Sequence, residues 1–293
     1  MFIAAKAFAK INISLDIVSK MPDGYHSLKT VMQSVSLHDE LEISCERGEG
    51  LSIFSNLGYI PTDERNLAAK AARVFFEHTK ISGYSVAIKI TKKIPVCAGL
   101  GGGSTDAACV LRALDEMFET GVGRQTLEEL GSKIGSDVPF SVDGGTVLAE
   151  GRGDRLTELA PFPACKIVIC KPDFSISTPA LFSQIKVEKI RARPDTSGII
   201  KALERGSVGG LARRMYNVFE DILPNTARDV FEIKRILLEN DALGAVMTGS
   251  GPSVFGIFEN SESARRAGDI LKQKFKESFI AEPVGRFSKD TAL

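Results

Sequence analysis

The sequence has no tryptophan, and it has only three histidines and five cysteines among 293 residues. The cysteine number is odd, and the spacings match no zinc pattern. We therefore expect reduced thiols that mostly pack as small hydrophobic side chains, and neither a disulfide framework nor a cysteine-based metal site. The five are Cys45, Cys97, Cys109, Cys165 and Cys170.

Net charge and long apolar runs are absent as well. Lys plus Arg and Asp plus Glu are 37 each, so the formal net charge is zero, which argues against a nucleic-acid or anionic-membrane partner. No stretch approaches the roughly 20 apolar residues of a membrane span. Lys6 and Lys10 interrupt the apolar run that a cleavable leader needs. These features predict a soluble, cytoplasmic protein without a membrane or nucleic-acid partner.

Helical and strand patterns alternate irregularly along the chain, which predicts an α+β fold. We expect two domains, residues 1–158 and 159–293, with the second opening after Pro161-Phe162-Pro163. Residues 3–17 alternate between apolar and polar side chains, the pattern of a half-buried strand. By this parity Lys10 and Asn12 share one face and point away from the core.

A glycine-rich loop, residues 95–108 (PVCAGLGGGSTDAA), is the strongest local motif. Its glycines allow a ligand to approach the backbone, and the alanine-rich helix that follows presents free N–H groups suited to phosphate. A P-loop is excluded because no Lys follows the glycines, and a dinucleotide fingerprint fails because residues 121–132 are typical of a loop and a helix, where the fingerprint requires a strand that ends in an acidic residue. A flexible linker is disfavoured because the segment is apolar and tightly bounded.

The loop and two further segments together resemble the GHMP kinases. The other segments are residues 9–12 (AKIN) and residues 248–253 (TGSGPS). Residues 23–26 (DGYH) and 135–139 (GSDVP) resemble the branch that phosphorylates 4-diphosphocytidyl-2-C-methyl-D-erythritol, in the methylerythritol phosphate route to isoprenoid precursors. Thr105 stands where a second Ser is common, and Val218 departs from the Asn-Asp-x-Glu pattern at residues 217–220.

This resemblance implies a ribosomal-protein-S5-like N-terminal domain and a ferredoxin-like C-terminal domain, with the active site between them. It implies ATP as phosphoryl donor, Mg²⁺ carried mainly by ATP with Ser104 as a candidate ligand, Lys10 as the catalytic cation and Asp137 as the general base. From Asp137 alone, a helix cap before a proline is an equal alternative. The implied ATP-binding residues are Pro95, Val96, Cys97, Ala98, Gly99, Leu100, Gly101, Gly102, Gly103, Ser104 and Thr105.

The resemblance also implies the pocket for the acceptor, a cytidylylated methylerythritol phosphate. Tyr25 and Phe182 would sandwich the cytosine, His26 would bind its polar edge, and Asn12 and Thr178 would contact the substrate. Taken alone, Phe182 is more typical of a helix core, and Asn12 fits a solvated strand equally well. A mevalonate-type or homoserine kinase, and a catalytically silent ATP-binding regulator, are the competing interpretations. A monomer or a weak homodimer is the expected assembly.

Overall fold

The structure, a computed structural model, describes residues 1–224 and 227–288 of the chain. The strands are Phe2–Lys20 (β1), His26–Arg47 (β2), Gly50–Ser55 (β3), Tyr84–Thr91 (β4), Thr146–Gly151 (β5), Arg155–Glu158 (β6), Lys166–Lys171 (β7), Tyr216–Asn217 (β8), Gly244–Met247 (β9), Val254–Phe258 (β10) and Glu277–Ala281 (β11). The α-helices are Leu67–Thr79 (α1), Gly102–Phe118 (α2), Arg124–Ser132 (α3), Val138–Asp143 (α4), Thr178–Gln184 (α5), Thr196–Glu204 (α6), Val208–Ala212 (α7), Arg228–Glu239 (α8) and Ser261–Lys274 (α9).

A seven-stranded sheet dominates the N-terminal part, with the order β3-β4-β2-β1-β8, and β5 pairs with β2 while β6 pairs with β5. The long strands β1 and β2 pair antiparallel, from Phe2 opposite Ser44 to Lys20 opposite His26. Helices α1 and α2 cover one face of this sheet with small side chains, mostly alanine. Asn66 begins α1, because its side chain accepts a hydrogen bond from the amide of Ala68 at 2.9 Å.

Strand β1 packs against two different layers along its length. Its register with β2 shifts after Phe8, which lies opposite His38 whereas Lys10 lies opposite Ser34, so β2 has two extra residues at this point. Ala5 and Ala7 before the shift pack with α1 and α2, whereas the odd-numbered residues after it pack with β7 and β10. The alternating pattern predicted that Lys10 and Asn12 lie on the face away from the core, and the apolar residues of β1 are indeed the odd-numbered ones. The prediction of a half-buried strand was wrong here, because other elements cover this face and leave Lys10 4% and Asn12 3% exposed.

A four-stranded sheet with the order β11-β7-β10-β9 organises the C-terminal part. Helices α8 and α9 pack on it through apolar residues at helical spacing, among them Val230, Ile233, Ala264 and Leu271. The mixture of helices and sheets confirms the predicted α+β class. The predicted domain boundary after residue 158 stays a prediction. One strand beyond it, β8, pairs parallel with β1 of the first sheet.

Helix α7 ends at Ala212 and β8 begins at Tyr216. Asn260 caps α9, and α3 ends at Ser132. Within residues 1–224 and 227–288, no helix has the length and apolar character required to traverse a bilayer.

Candidate active site

The glycine-rich loop ends where α2 begins. Gly101 precedes the helix with φ of 73°, a left-handed conformation that suits glycine, and the first turn contains no acidic side chain. The first amide groups of a helix have no intrahelical partner, and they carry the positive end of the helix dipole. The start of α2 is therefore suited to bind an anion such as a phosphate.

The glycine-rich loop lies directly against the loop between β9 and β10. A Cβ atom on Gly99 would lie 2.2 Å from the carbonyl oxygen of Thr248, and one on Gly249 would lie 2.9 Å from the carbonyl oxygen of Gly99. Both glycines also have positive φ, 76° for Gly99 and 57° for Gly249. Two of the motifs found in the sequence thus meet backbone to backbone, and side chains at these positions would separate them.

Lys10 reaches the same place from β1. Its ammonium donates a hydrogen bond to Asn12 Oδ1 at 2.7 Å and lies 3.4 Å from Asp137 Oδ2. The Asn12 amide in turn donates to Thr30 Oγ1 at 2.8 Å, which fixes the orientation of the Asn12 side chain. Since an ammonium has three N–H groups, one remains for a third partner.

Asp137 stands at the position before α4 where a capping side chain would lie. Its carboxylate makes no capping hydrogen bond and faces Lys10 instead. Of the two side chains, that of Asp137 is 37% exposed and that of Lys10 only 5%. The carboxylate is therefore open to a ligand while the ammonium behind it is shielded from water.

Further buried groups hold the loop between β9 and β10 in place. The hydroxyl of Thr248 accepts the amide of Asn12 at 2.9 Å. The side-chain amide of Asn217 donates to the carbonyl oxygens of Met247 and Gly249, each at 2.8 Å. No local sequence pattern indicates this role of Asn217, because its hydrogen-bond acceptors are 30 and 32 residues further along the chain.

An aromatic pocket lies next to the site formed by Lys10 and Asp137. The rings of His26 and Phe182 are 5.5 Å apart between centroids, and Phe182 meets Phe219 edge to face at 4.9 Å. Burial, with a smaller effect of Lys20, lowers the pKa of His26 below its ordinary value. The imidazole is therefore neutral at pH 7, so it has one hydrogen-bond donor and one acceptor. Tyr25 lines the same pocket and is 59% exposed.

Two adjoining cavities connect these groups. One of about 460 Å³ is lined by Lys10, Asn12, Ser104 and Asp137, and the other of about 690 Å³ by Tyr25, His26 and Phe182. Both are lined by Leu28, Ser136, Thr178, Pro179 and Phe182. The hydroxyls of Thr178 and Ser250 are 2.6 Å apart at the junction. A ligand can therefore occupy both cavities at once.

The side chains of several predicted ATP-binding residues are buried and cannot contact ATP, and one that was expected to be buried is exposed. The Thr105 hydroxyl is buried and donates to the Phe8 carbonyl at 2.7 Å. Ala98 and Leu100 point into the core, which leaves only their backbone for a ligand. Cys97, expected to pack, is exposed, and it lines the cavity that holds Lys10.

A buried cluster of charged side chains lies beneath the glycine-rich loop, and no sequence pattern indicates it. The ammonium of Lys92 pairs with Asp39, and it also pairs with Asp106 at 2.7 Å. Burial raises the pKa of Asp106 to about 7. A Cβ on Gly102 would lie 3.2 Å from Lys92 Nζ, so the cluster supports the first turn of α2. No sequence motif joins residues this far apart.

Comparison with known protein families gives two matches. The GHMP kinases N terminal domain matches residues 66–145, and the GHMP kinases C terminal domain matches residues 199–277. Among curated proteins, the 4-diphosphocytidyl-2-C-methyl-D-erythritol kinase of Acetivibrio thermocellus is 43% identical over 282 residues, covering 96% of this chain and 99% of the relative. The enzyme of the same name from Clostridium botulinum strain Langeland is 43% identical over 280 residues, with the same coverage.

Solved structures support the same assignment. A crystal structure of 4-(cytidine 5′-diphospho)-2C-methyl-D-erythritol kinase matches with a TM-score of 0.82 and 31% identity, covering 97% of this chain and all of that one. Homoserine kinase from Cytophaga hutchinsonii matches with a TM-score of 0.76 at 21% identity, over 97% of this chain and 95% of that one. The second similarity shows a shared fold alone.

Proposed function

Because the chain belongs to the 4-diphosphocytidyl-2-C-methyl-D-erythritol kinase family of GHMP kinases, we propose that it transfers the γ-phosphate of ATP to the 2-hydroxyl of that substrate. One observation carries the proposal. The Lys10 ammonium and the Asp137 carboxylate lie 3.4 Å apart in a cavity that adjoins an aromatic pocket large enough for a pyrimidine.

The triphosphate of ATP would lie on residues 95–105. The free amide groups at the start of α2 and the absence of an acidic side chain in its first turn favour a polyanion there. Gly101 allows close approach, since any Cβ at this position would lie 2.9 Å from the Lys10 side chain. This arrangement brings the terminal phosphate toward Lys10.

Asp137 would act as the general base and Lys10 as the electrostatic partner of the phosphoryl group. The carboxylate of Asp137 accepts the proton of the attacking hydroxyl, and the adjacent ammonium orients that carboxylate. The remaining N–H of Lys10 donates to the phosphate, where negative charge is held during transfer. Asn12 fixes the ammonium in this position.

The site fits Mg²⁺ as a partner of ATP rather than as a resident ion. Within the described residues, no group of three or more His, Cys, Asp or Glu side chains is placed to hold a metal. Ser104 and Asp137 line the same cavity and can each offer one oxygen. When bound, Mg²⁺ neutralises charge on the transferred phosphate.

The aromatic pocket would bind the cytosine of the acceptor. Tyr25 and Phe182 offer aromatic surfaces, and the neutral imidazole of His26 can both donate to and accept from the polar edge of the base. Asn12 and Thr178 line the path from this pocket to Asp137, where they would contact the sugar alcohol. This pocket would favour the cytidylylated acceptor over mevalonate and homoserine, because neither of these carries a nucleobase.

The use of ATP makes the cytoplasm the expected compartment, and we keep a monomer or weak homodimer as the expected assembly. A small molecule is the expected partner, and neutral net charge supports no nucleic-acid role.

A coupled ADP-release assay tests the proposed reaction. With Mg-ATP, we expect turnover with 4-diphosphocytidyl-2-C-methyl-D-erythritol and none above background with mevalonate or homoserine. Phosphorylation of mevalonate instead would contradict the assignment of the acceptor. ATP binding without ADP release for every acceptor would favour a regulator that retains the fold.

A further inference from the structure

Tyr25 contacts a side chain from outside its own loop. The guanidinium carbon of Arg152 lies 4.5 Å from the centroid of the Tyr25 ring, the geometry of a cation–π contact. Tyr25 is 59% exposed, so few other contacts hold its ring. Arg152 is also the partner of an ion pair with Asp23, in the same loop as Tyr25.

The loop that holds Tyr25 is closed by its own hydrogen bonds. The amide of Tyr25 donates to Asp23 Oδ1 at 3.0 Å, and the amide of Met21 donates to the Tyr25 carbonyl at 2.7 Å. Asp23 thus uses one carboxylate oxygen on the Tyr25 backbone and the other on Arg152. Arg152 therefore contacts both the ring of Tyr25 and the carboxylate that orders its backbone.

Arg152 itself is placed by the tight turn between β5 and β6. Gly151 and Gly153 have φ of 69° and 94°, and the amide of Arg152 donates to Asp154 Oδ1 at 3.0 Å. The next residue, Gly153, lines the cavity that holds Lys10 and Asp137. The turn between β5 and β6 therefore contacts the loop that holds Tyr25 and also forms part of the wall of the cavity around Lys10 and Asp137.

We propose that Arg152 is a positioning residue for recognition of the cytosine. It contacts the ring of Tyr25, which lines the pocket, but Arg152 is not itself among the described residues that line it. A ring that is already immobilised loses less conformational entropy when a base stacks on it. The proposal rests on the proposed function, because it assigns the pocket to a pyrimidine.

Binding of cytidine and of CDP to the full chain tests this role. In Arg152→Met we expect both ligands to bind about threefold to fivefold more weakly, whereas ATP binding and the melting temperature stay unchanged. Arg152→Lys should recover part of the loss, because an ammonium can also lie over the ring. Arg155→Met is the matched control, since Arg155 lies in the same turn region, and no described contact joins it to the Tyr25 ring.

A double-mutant cycle with Tyr25 separates the proposed role from a direct one. In a Tyr25→Ala background, Arg152→Met should weaken cytidine binding no further. An equal loss in both backgrounds would overturn the proposal, and so would a loss for CDP with none for cytidine, which would indicate contact with the phosphates. If cytidine and CDP bind wild type without dependence on Tyr25, the proposed acceptor pocket itself fails.

Discussion

Gly99→Ala tests whether the contact between the two glycine loops organises the active site. The φ of 76° at Gly99 costs a non-glycine residue about 1–2 kcal/mol, and the new Cβ would lie 2.2 Å from the Thr248 carbonyl oxygen. Relief of that overlap requires the loops to move apart, at a further cost of about 1–3 kcal/mol. We therefore expect the free energy of unfolding to fall by about 2–5 kcal/mol in total.

The same movement would also displace groups around Lys10. Thr248 accepts the amide of Asn12, and Asn12 accepts the Lys10 ammonium. Since a displacement of about 1 Å in a catalytic constellation can cost about 10²-fold, we expect kcat to fall by roughly that factor. Urea unfolding and steady-state ADP release measure the two effects on the same preparation.

Gly121→Ala is the matched control for backbone strain. Gly121 has φ of 58°, and a Cβ there would have no neighbour within 4 Å. This variant should lose only about 1 kcal/mol and keep wild-type kcat. If Gly99→Ala is no less stable than Gly121→Ala and turns over normally, the loops do not organise the site as we describe.

Two further predictions concern titration. Because burial lowers the pKa of His26, the affinity of the protein for cytidine should be constant from pH 7 to 9 and should fall only at a pH below the ordinary imidazole pKa of about 6.5, as the imidazole gains a proton. An NMR titration of His26→Gln should show no such fall. Asp106 has a pKa of about 7 when folded, so the folded state holds a proton that the unfolded state has released between about pH 4 and 7. Its contribution to stability is therefore lost as pH rises through that window. Urea unfolding should show Asp106→Asn gaining stability relative to wild type, by about 2 kcal/mol, from pH 5 to 7. A constant difference between the two proteins would contradict the raised pKa.

The sequence predicted those features that depend on local patterns. The alternation in β1 and the glycines before α2 are periodic or compositional signals, and both elements form as expected. The pairing of Lys10 with Asp137 came from motif resemblance, since 127 residues separate them and no local pattern relates them. The α+β class followed from the order of elements.

The remaining features depend on tertiary contacts. The burial of Lys10 and Asn12 could not be predicted from the alternation of side chains, because loops distant in the sequence cover the polar face of the strand. The Asp39, Lys92 and Asp106 cluster forms only when β2, the segment after β4 and α2 meet. Arg152 lies outside every motif, and its relation to Tyr25 depends on where the turn after β5 lies.

The turnover of Asp137→Asn measured beside its affinity for ATP tests the central claim most directly. Asparagine keeps the shape of the side chain and removes its capacity to accept a proton, so we expect kcat to fall by about 10²–10⁴-fold while the Kd for ATP changes little. Near-normal turnover in this variant would show that the general base is elsewhere, and would contradict the role assigned to the carboxylate beside Lys10.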